Sequence, residues 1–286
     1  MSALTLDGFV GAADSVTENF LAHVYPAIAS AISPALYYAG ILYWALFGYK
    51  IYAGYSALEW RDLLAKIFMT CAVFGSLSWG GFASQIYHVF VSFMESAAAT
   101  MFAEEPATKT LNALFIHADQ ISKTLLKSSF YQINAIIEGS IILILNCLLF
   151  TITLFYMTIS KLGLAITMVL LPLFIGFSLF KETRQWFMNW VSKMFHFALM
   201  YILVIAIVQF SFSAFDHYIL EVGNAANYLE AQQISSEMVT NLYIVEFVLI
   251  IFMLQIKEWA AFLSGVVIAE GGSAITKTIK TIRSVR

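Results

Sequence analysis

The sequence is poor in charged residues. Only 12% of its 286 residues are charged, whereas an average soluble domain has about 25%. A further 60% of the residues are hydrophobic, and a soluble fold of this length has too little interior to bury so much apolar surface. The low charge content therefore excludes an ordinary soluble protein and indicates a chain embedded in lipid.

Cysteines and catalytic motifs are also scarce. The two cysteines, Cys71 and Cys147, fall within apolar runs, where they are best explained as small buried side chains rather than as a disulfide or metal site. The sequence has no GxSxG, Walker, HExxH or CxxC motif, and its five histidines form no i, i+4 ligand pair. We therefore expect neither an enzymatic activity nor a cofactor.

Lysine and arginine are missing from the first 33 residues and from residues 216–240. A cleaved signal peptide needs a basic start, so we expect this N-terminus to be retained. Most of the 15 basic residues occur instead in three stretches, at 50–66, 181–193 and 277–286. Basic loops stay on the inner side of a membrane, so the N-terminus is predicted outside and the C-terminus inside, with an odd number of crossings.

Five apolar regions have the length of a membrane span. They are residues 34–52, 67–91, 140–180, 195–215 and 239–256. About 20 apolar residues cross the hydrocarbon layer, and the third region is nearly twice as long. We interpret Lys161 and Gly163 in its middle as a break, because two full spans there would put a basic stretch outside. We therefore favour five crossings over six. The expected fold is all-α, with about five transmembrane helices and additional amphipathic helices.

The pattern predicts five consecutive segments. They are an outer N-terminal amphipathic segment at 1–33, two membrane spans at 34–91, an outer helical segment at 92–138, the remaining membrane helices with the long broken third region at 139–256, and an inner basic amphipathic tail at 257–286. The tail places isoleucines on one side of a helix among lysine and arginine, as helices on a membrane surface do.

The first segment has a helical repeat. Its apolar residues recur every four positions, at Val16, Phe20, Val24 and Ile28. Ser15 and Glu18 have the spacing of a capping box, and Pro26 is expected to kink or end the helix. This face suits either a lipid surface or another subunit, and the sequence does not decide between them.

The outer helical segment has a second repeat. Its apolar positions alternate three and four apart, at Leu111, Leu114, Ala118, Ile121 and Leu125. Because the repeat covers barely two heptads, packing within one subunit is favoured over a coiled coil.

Ionisable residues inside the predicted spans are candidates for function, because a charge at mid-bilayer costs at least about 2.5 kcal/mol. Lys161 lies in the third region and Glu246 in the fifth. A secondary transporter usually has more such residues, on interrupted helices in two related halves, and no internal repeat is evident. Small residues in the second span, Gly80 and Gly81 among them, predict a face that packs against another helix.

The most distinctive stretch runs from Pro172 to Trp190. Pro172 is expected to kink a membrane helix, since it has no backbone N–H to donate. Phe180 ends the span, and Arg184 lies at the predicted inner boundary. Trp186 and Trp190 are four residues apart on one helical face, which suits the aromatic belt of a membrane interface.

This stretch and its surroundings resemble the TrbL/VirB6 family, the polytopic inner-membrane subunits of bacterial type IV secretion systems. The matching residues are the Pro-Leu-Phe-Ile run at 172–175, Phe180, Thr183, Arg184, Trp190 and, around the first two spans, Gly54, Tyr55, Asp62 and Lys66. The layout also agrees over most of the chain, with an outer N-terminus, a large outer loop after two spans and an inner tail.

The resemblance implies a scaffold or channel subunit in the inner membrane of a Gram-negative bacterium, with a periplasmic N-terminus and a cytoplasmic C-terminus. Such a subunit would support the transfer of DNA–protein or protein substrates and pilus assembly. It would act as a homo-oligomer in lipid, beside a minor pilin, a small membrane subunit and the secretion ATPase. Direct contact with nucleic acid is left open. The alternatives are a small-solute secondary transporter and a membrane anchor for a soluble partner.

Overall fold

A computed structural model shows an all-α protein, with no strand among the residues it describes. Those residues are 6–55, 59–101, 115–116, 119–120, 122–123, 125–126, 133–227 and 236–265. Within these ranges the elements are α1 (Leu6–Tyr52), α2 (Trp60–Gly75), a π-helical turn (Trp79–Ala83), α3 (Ser84–Met101), α4 (Ile133–Val169), α5 (Leu171–Phe177), α6 (Arg184–Asn227) and α7 (Ser236–Leu263). The predicted fold class is confirmed.

Three helices in the described part of the chain are long and apolar enough to cross a membrane, by the segments Gly11–Tyr52, Ile136–Val169 and Arg184–Phe210. A fourth candidate arises if α2 and the bent helical segment after it count as one span. These candidates support a polytopic membrane protein, although they are fewer than the five spans predicted. Helix α7 contains the fifth predicted region but is not among them, so the number of crossings stays a prediction.

The helices extend past the predicted segment boundaries. Helix α1 runs from the first segment into the second without ending at Pro26 or Pro34, and α3, α4 and α7 cross the other three boundaries. The predicted boundaries mark where the chain enters or leaves the membrane and not where helices end, so they stay predictions. The capping box at Ser15 and Glu18 is wrong, because α1 already begins at Leu6.

The buried face of α1 is shifted by one position from the predicted face. Val16 is 64% exposed, whereas Thr17, Leu21, Tyr25 and Ala29 are buried. The apolar pattern missed this face because two of its members have hydroxyl groups. Both hydroxyls donate to backbone carbonyls, and hydrogen-bonded polar groups can be buried at little cost.

The third predicted region is broken at a different place from the one expected. Helix α4 continues through Lys161 and Gly163 to Val169, so the break predicted at those two residues is wrong. A Cβ atom on Gly163 would lie 2.3 Å from the ring of Phe197 in α6. Gly163 therefore allows α4 and α6 to pack closely and does not end the helix. The chain instead breaks at Leu170, between α4 and α5.

The chain divides into two compact units, and several helices contribute to both. Unit 1 consists of Met1–Ala12, Met94–Ser160 and Leu199–Ala260. Unit 2 consists of Ala13–Phe93, Lys161–Ala198 and Ala261–Arg286. In unit 1 the core side chains come mainly from α4, α6 and α7, and include Ile142, Leu149, Met157, Val204, Leu249 and Met253. In unit 2 they include Leu21, Val73, Leu164, Met168, Leu171 and Met194.

The outer helical segment is described only in part. Leu125 is buried, and a Cβ atom on Gly139 of α4 would lie 2.8 Å from the Cβ of Leu125, so this leucine packs within the subunit. The other four positions of the predicted repeat lie outside the described residues, and so do all the basic residues of the tail after Lys257.

Candidate functional site

Pro172 lies at the start of a helix rather than inside one. Helix α4 ends at Val169, Leu170 precedes the next helix, and Pro172 occupies one of the first two positions of α5. A proline is well tolerated there, because the first N–H groups of a helix have no partner within that helix. Pro172 therefore does interrupt the long apolar region, as expected, but by separating two helices instead of kinking one.

Trp190 donates a hydrogen bond to the end of α4, next to the break between α4 and α5. The last carbonyl groups of a helix lack their usual partners. The Trp190 indole N–H donates to one of them, the Thr167 carbonyl, at 2.8 Å. The indole is 6% exposed and stacks near the rings of Phe174 and Phe187, with centroid distances of 6.2 and 5.8 Å. Trp190 is thus a buried packing residue.

Trp186 has a different environment, although it lies one helical turn before Trp190. It is 54% exposed, and its ring contacts the edge of the Phe177 ring at a centroid distance of 5.0 Å. The two tryptophans therefore do not form one interface belt. Only Trp186 has the exposure that such a belt requires.

The second predicted span is broken in its glycine- and serine-rich part. Helix α2 ends at Gly75, and the helical segment that starts at Trp79 is bent away from it by 100°. The Tyr25 hydroxyl of α1 donates to the Ser76 carbonyl at the break, and the Tyr25 ring lies 5.2 Å from the Trp79 ring. Broken backbone is tolerated at membrane depth only where protein or water satisfies its polar groups, and here Tyr25 does so.

Gly80 and Gly81 do not pack against another helix within the described chain. A Cβ atom on Gly80 would have no neighbouring atom within 4 Å. A Cβ atom on Gly81 would lie 2.7 Å from both the Gly75 carbonyl oxygen and the Ser78 hydroxyl oxygen. A bend replaces the straight span on which such a face would lie, and packing of Gly80 and Gly81 against another subunit stays a prediction.

An aromatic cluster connects Lys66, in basic stretch 50–66, to Phe180, which precedes basic stretch 181–193. The Lys66 amine of α2 lies 3.3 Å from the Tyr43 hydroxyl and 4.7 Å from the centre of the Phe47 ring. Tyr43 also contacts Phe180. The two rings pack edge to face, with their centroids 6.0 Å apart. Phe180 directly precedes stretch 181–193, so Lys66 and the start of that stretch lie near each other in unit 2.

Lys161 forms an ion pair with α1. Its amine lies 2.6 and 2.7 Å from the two carboxylate oxygens of Asp14. The Lys161 side chain is 10% exposed and that of Asp14 is 45% exposed. This pair explains how a nearly buried lysine is accommodated in an apolar helix, because buried charges require a partner. The sequence pattern gave no sign of the partner, which lies 147 residues away.

Glu246 belongs to unit 1, whereas the other candidates belong to unit 2. It is 2% exposed, and neither of its carboxylate oxygens has a hydrogen-bond partner among the described residues. Within the described chain Glu246 is therefore neither exposed nor hydrogen-bonded, and its role as a candidate for function stays a prediction. Asn146, also in unit 1, donates to the Phe115 carbonyl at 3.2 Å.

The site assembled in unit 2 is a set of contacts that hold broken helices in place. The described residues contain no group of three or more histidine, cysteine, aspartate or glutamate side chains able to hold a metal ion. Sequence reasoning missed Asp14, Tyr25 and Thr167, whose roles depend on distant partners. The four-residue spacing of Tyr25 from Leu21 was the one available signal for its burial.

The family model described as TrbL/VirB6 plasmid conjugal transfer protein matches residues 40–256. This segment is well over half of the chain, and it includes every candidate residue from Gly80 to Glu246. No curated protein matches the sequence.

Proposed function

The chain belongs to the TrbL/VirB6 plasmid conjugal transfer family, and on this premise we propose that it is an inner-membrane scaffold or channel subunit of a type IV secretion system. Membership implies a part in conjugal transfer by such a system. The proposal adds that the subunit supports the passage of DNA–protein or protein substrates and the assembly of a pilus. The match over residues 40–256 is the observation that carries it.

The exposed apolar surface of α1 supports assembly into a homo-oligomer. Only 11% of the most apolar 18-residue stretch of this helix is buried inside the chain. Large side chains on this helix are more than half exposed, at Tyr37, Tyr38, Ile41, Leu42 and Tyr49. In a membrane protein such a surface faces lipid or other subunits, and the aromatic side chains offer large contact areas to both.

The lengths of the helices support a scaffold role. Helix α1 has 47 residues, which corresponds to about 70 Å at the usual rise per residue. The hydrocarbon layer is about 30 Å thick, so more than half of a straight helix of this length would project beyond it. Helices α4 and α6, with 37 and 44 residues, also exceed the length of a simple span. Projecting helices provide surfaces for the minor pilin, the small membrane subunit or the secretion ATPase.

The proposed orientation has the N-terminus in the periplasm and the C-terminus in the cytoplasm. The aromatic cluster around Tyr43 supports this orientation, because it brings Lys66 of one basic stretch near Phe180, which directly precedes another, as a shared cytoplasmic side requires. We propose that the subunit performs no bond chemistry of its own and acts through packing.

Deletion and complementation test the proposed function. A donor strain that lacks this chain should transfer a mobilisable plasmid at background frequency, and expression of the intact chain in trans should restore transfer. Native mass measurement of the purified protein in detergent should show several copies per particle. Unchanged transfer in the deletion strain would refute the proposal, and a strictly monomeric particle would refute its oligomeric part.

The bent second span favours one alternative, a small-solute secondary transporter, because interrupted helices form substrate sites in that class. A transporter should be a stable monomer or dimer whose melting temperature rises when its solute is added. If the chain is instead a membrane anchor for a soluble partner, deleting the chain should no longer change plasmid transfer in a strain that lacks that partner. Screening common solutes by thermal stability therefore separates the transporter from the secretion subunit.

A further inference from the structure

Unit 2 contains a cavity of about 530 Å³. It lies between the last turn of α4 and the first four turns of α6, beside the break at Leu170. Ligand pockets in proteins usually have volumes of about 300–1,000 Å³, so this cavity is large enough for a small ligand or for part of a larger one.

The walls of the cavity are apolar. They are formed by Ile166, Leu170, Phe174, Trp190 and Phe197. Trp190 presents a ring rather than a donor, because its N–H group is already bonded to the Thr167 carbonyl. Such walls offer a hydrocarbon chain favourable burial and offer a polar solute few partners.

The polar lining residues of the cavity are Thr167 of α4 and three residues of α6. Asn189, Ser192 and Lys193 line it, and Lys193 is exposed, one turn after Asn189 and one turn before Phe197. Lys193 carries the one formal charge among the described lining residues. The cavity thus combines an apolar interior with a positively charged rim.

The end of α7 completes this rim. The Ser192 hydroxyl donates to the Ser264 carbonyl, and Gly265, which ends the helix with a φ of 74°, lines the cavity. A left-handed glycine is a common helix terminator because it has no Cβ atom to clash.

We propose that the cavity binds a phospholipid with an anionic headgroup, with one acyl chain between the rings and the phosphate on the Lys193 amine. The complementary charge of the rim favours an anionic lipid over a zwitterionic one. Basic pockets between helices on the cytoplasmic side of a membrane bind such headgroups, and exposed Trp186 beside the rim suits the interface. The inference rests on the membrane setting and on the orientation proposed above, and not on the proposed role in secretion.

Native mass spectrometry of the full-length protein tests this site. The purified protein is titrated with phosphatidylglycerol and, separately, with phosphatidylcholine of the same acyl chains. We expect retention of the anionic lipid, and about fivefold weaker retention in Lys193→Gln, because a basic residue near a lipid surface adds modest affinity. The matched control is Lys181→Gln, which removes an exposed charge outside the cavity and should leave retention unchanged.

A second variant tests the acyl-chain part of the site. Leu170→Trp adds bulk at the edge of the cavity, where Leu170 is 38% exposed, and should weaken retention of both lipids. Each variant must elute as the wild type does from a sizing column, which shows that it is folded. Equal retention of the two lipids by the wild type, or equal losses in Lys193→Gln and Lys181→Gln, would overturn the proposal. Plasmid transfer by these variants is a separate measurement, so failure of the lipid site leaves the proposed function standing.

Discussion

The helical backbone is broken next to Gly80, whereas it continues through Gly163 without interruption. Gly80 and Gly81 lie in the π-helical turn directly after the bend, and a Cβ atom on Gly80 would meet no other atom of the described residues within 4 Å. Gly163 lies inside α4, and the ring of Phe197 occupies the space that its side chain would need. The same residue type thus accompanies a break in one region and close packing in the other.

This difference shows that glycine alone does not determine where a membrane helix ends. Removing the side chain lowers helix propensity by roughly 1 kcal/mol, which is less than the packing of two apolar helices can contribute. At Gly163 the neighbouring helix α6 provides that packing. At the bend, Tyr25 instead satisfies the Ser76 carbonyl and makes the broken conformation favourable.

The largest effect is expected at Gly163. Gly163→Leu would force its side chain into the Phe197 ring and should lower the free energy of unfolding by about 3 kcal/mol, as severe overpacking does. Gly80→Leu is the matched control, since its surroundings are open, and should change stability little. Both are measured by unfolding in mixed detergent micelles. If Gly80→Leu proved the more harmful, the roles assigned to the two glycines would be reversed.

A smaller effect is expected from the ion pair that accompanies the unbroken region. Asp14→Ala leaves the nearly buried Lys161 without this carboxylate and should cost about 1–2 kcal/mol, less than a fully buried pair because Asp14 is 45% exposed. Glu18→Ala, an exposed acidic residue one turn further along α1, removes the same charge as a control. Similar losses in both variants would contradict a specific pair.

The smallest effect is expected from Tyr25→Phe, which tests the broken region. It removes the hydroxyl that satisfies the Ser76 carbonyl while keeping the ring packed near Trp79, and should cost about 1 kcal/mol. Tyr37→Phe, an exposed tyrosine on the same helix, is the control and should be neutral. Faster hydrogen exchange of the amides between Ser76 and Ala83 should accompany the loss. Unchanged exchange would mean that Tyr25 does not hold the bend.

Much of the fold follows from local patterns. The apolar composition predicts membrane helices, and Pro172 predicts a kink where the structure instead begins a new helix, α5. The glycine- and serine-rich part of the second span was predicted to pack as a straight helix and is bent instead. The error at Gly163 has the same origin, because glycine is a local signal whose outcome depends on neighbours distant in sequence.

The candidate site could be predicted only in part. The sequence context points to Phe180 and Trp190, and both make specific aromatic contacts in unit 2. Their partners were not predictable, since Tyr43 and Thr167 meet them through the fold. Trp186 and Trp190 share a helical face but differ in burial, because the residues of the neighbouring helices cover only one of them.

The sequence by itself determined that this protein is helical and apolar enough for a membrane, and it contained the pattern of its family. Composition and helical periodicity suffice for these properties because each depends on residues within a few turns of one another. The tertiary structure decided near which glycines the helix is interrupted and that the Tyr25 hydroxyl donates to the Ser76 carbonyl there. It also decided that Lys161 pairs with Asp14. Those outcomes depend on side chains brought together from distant parts of the chain, and no local pattern specifies them.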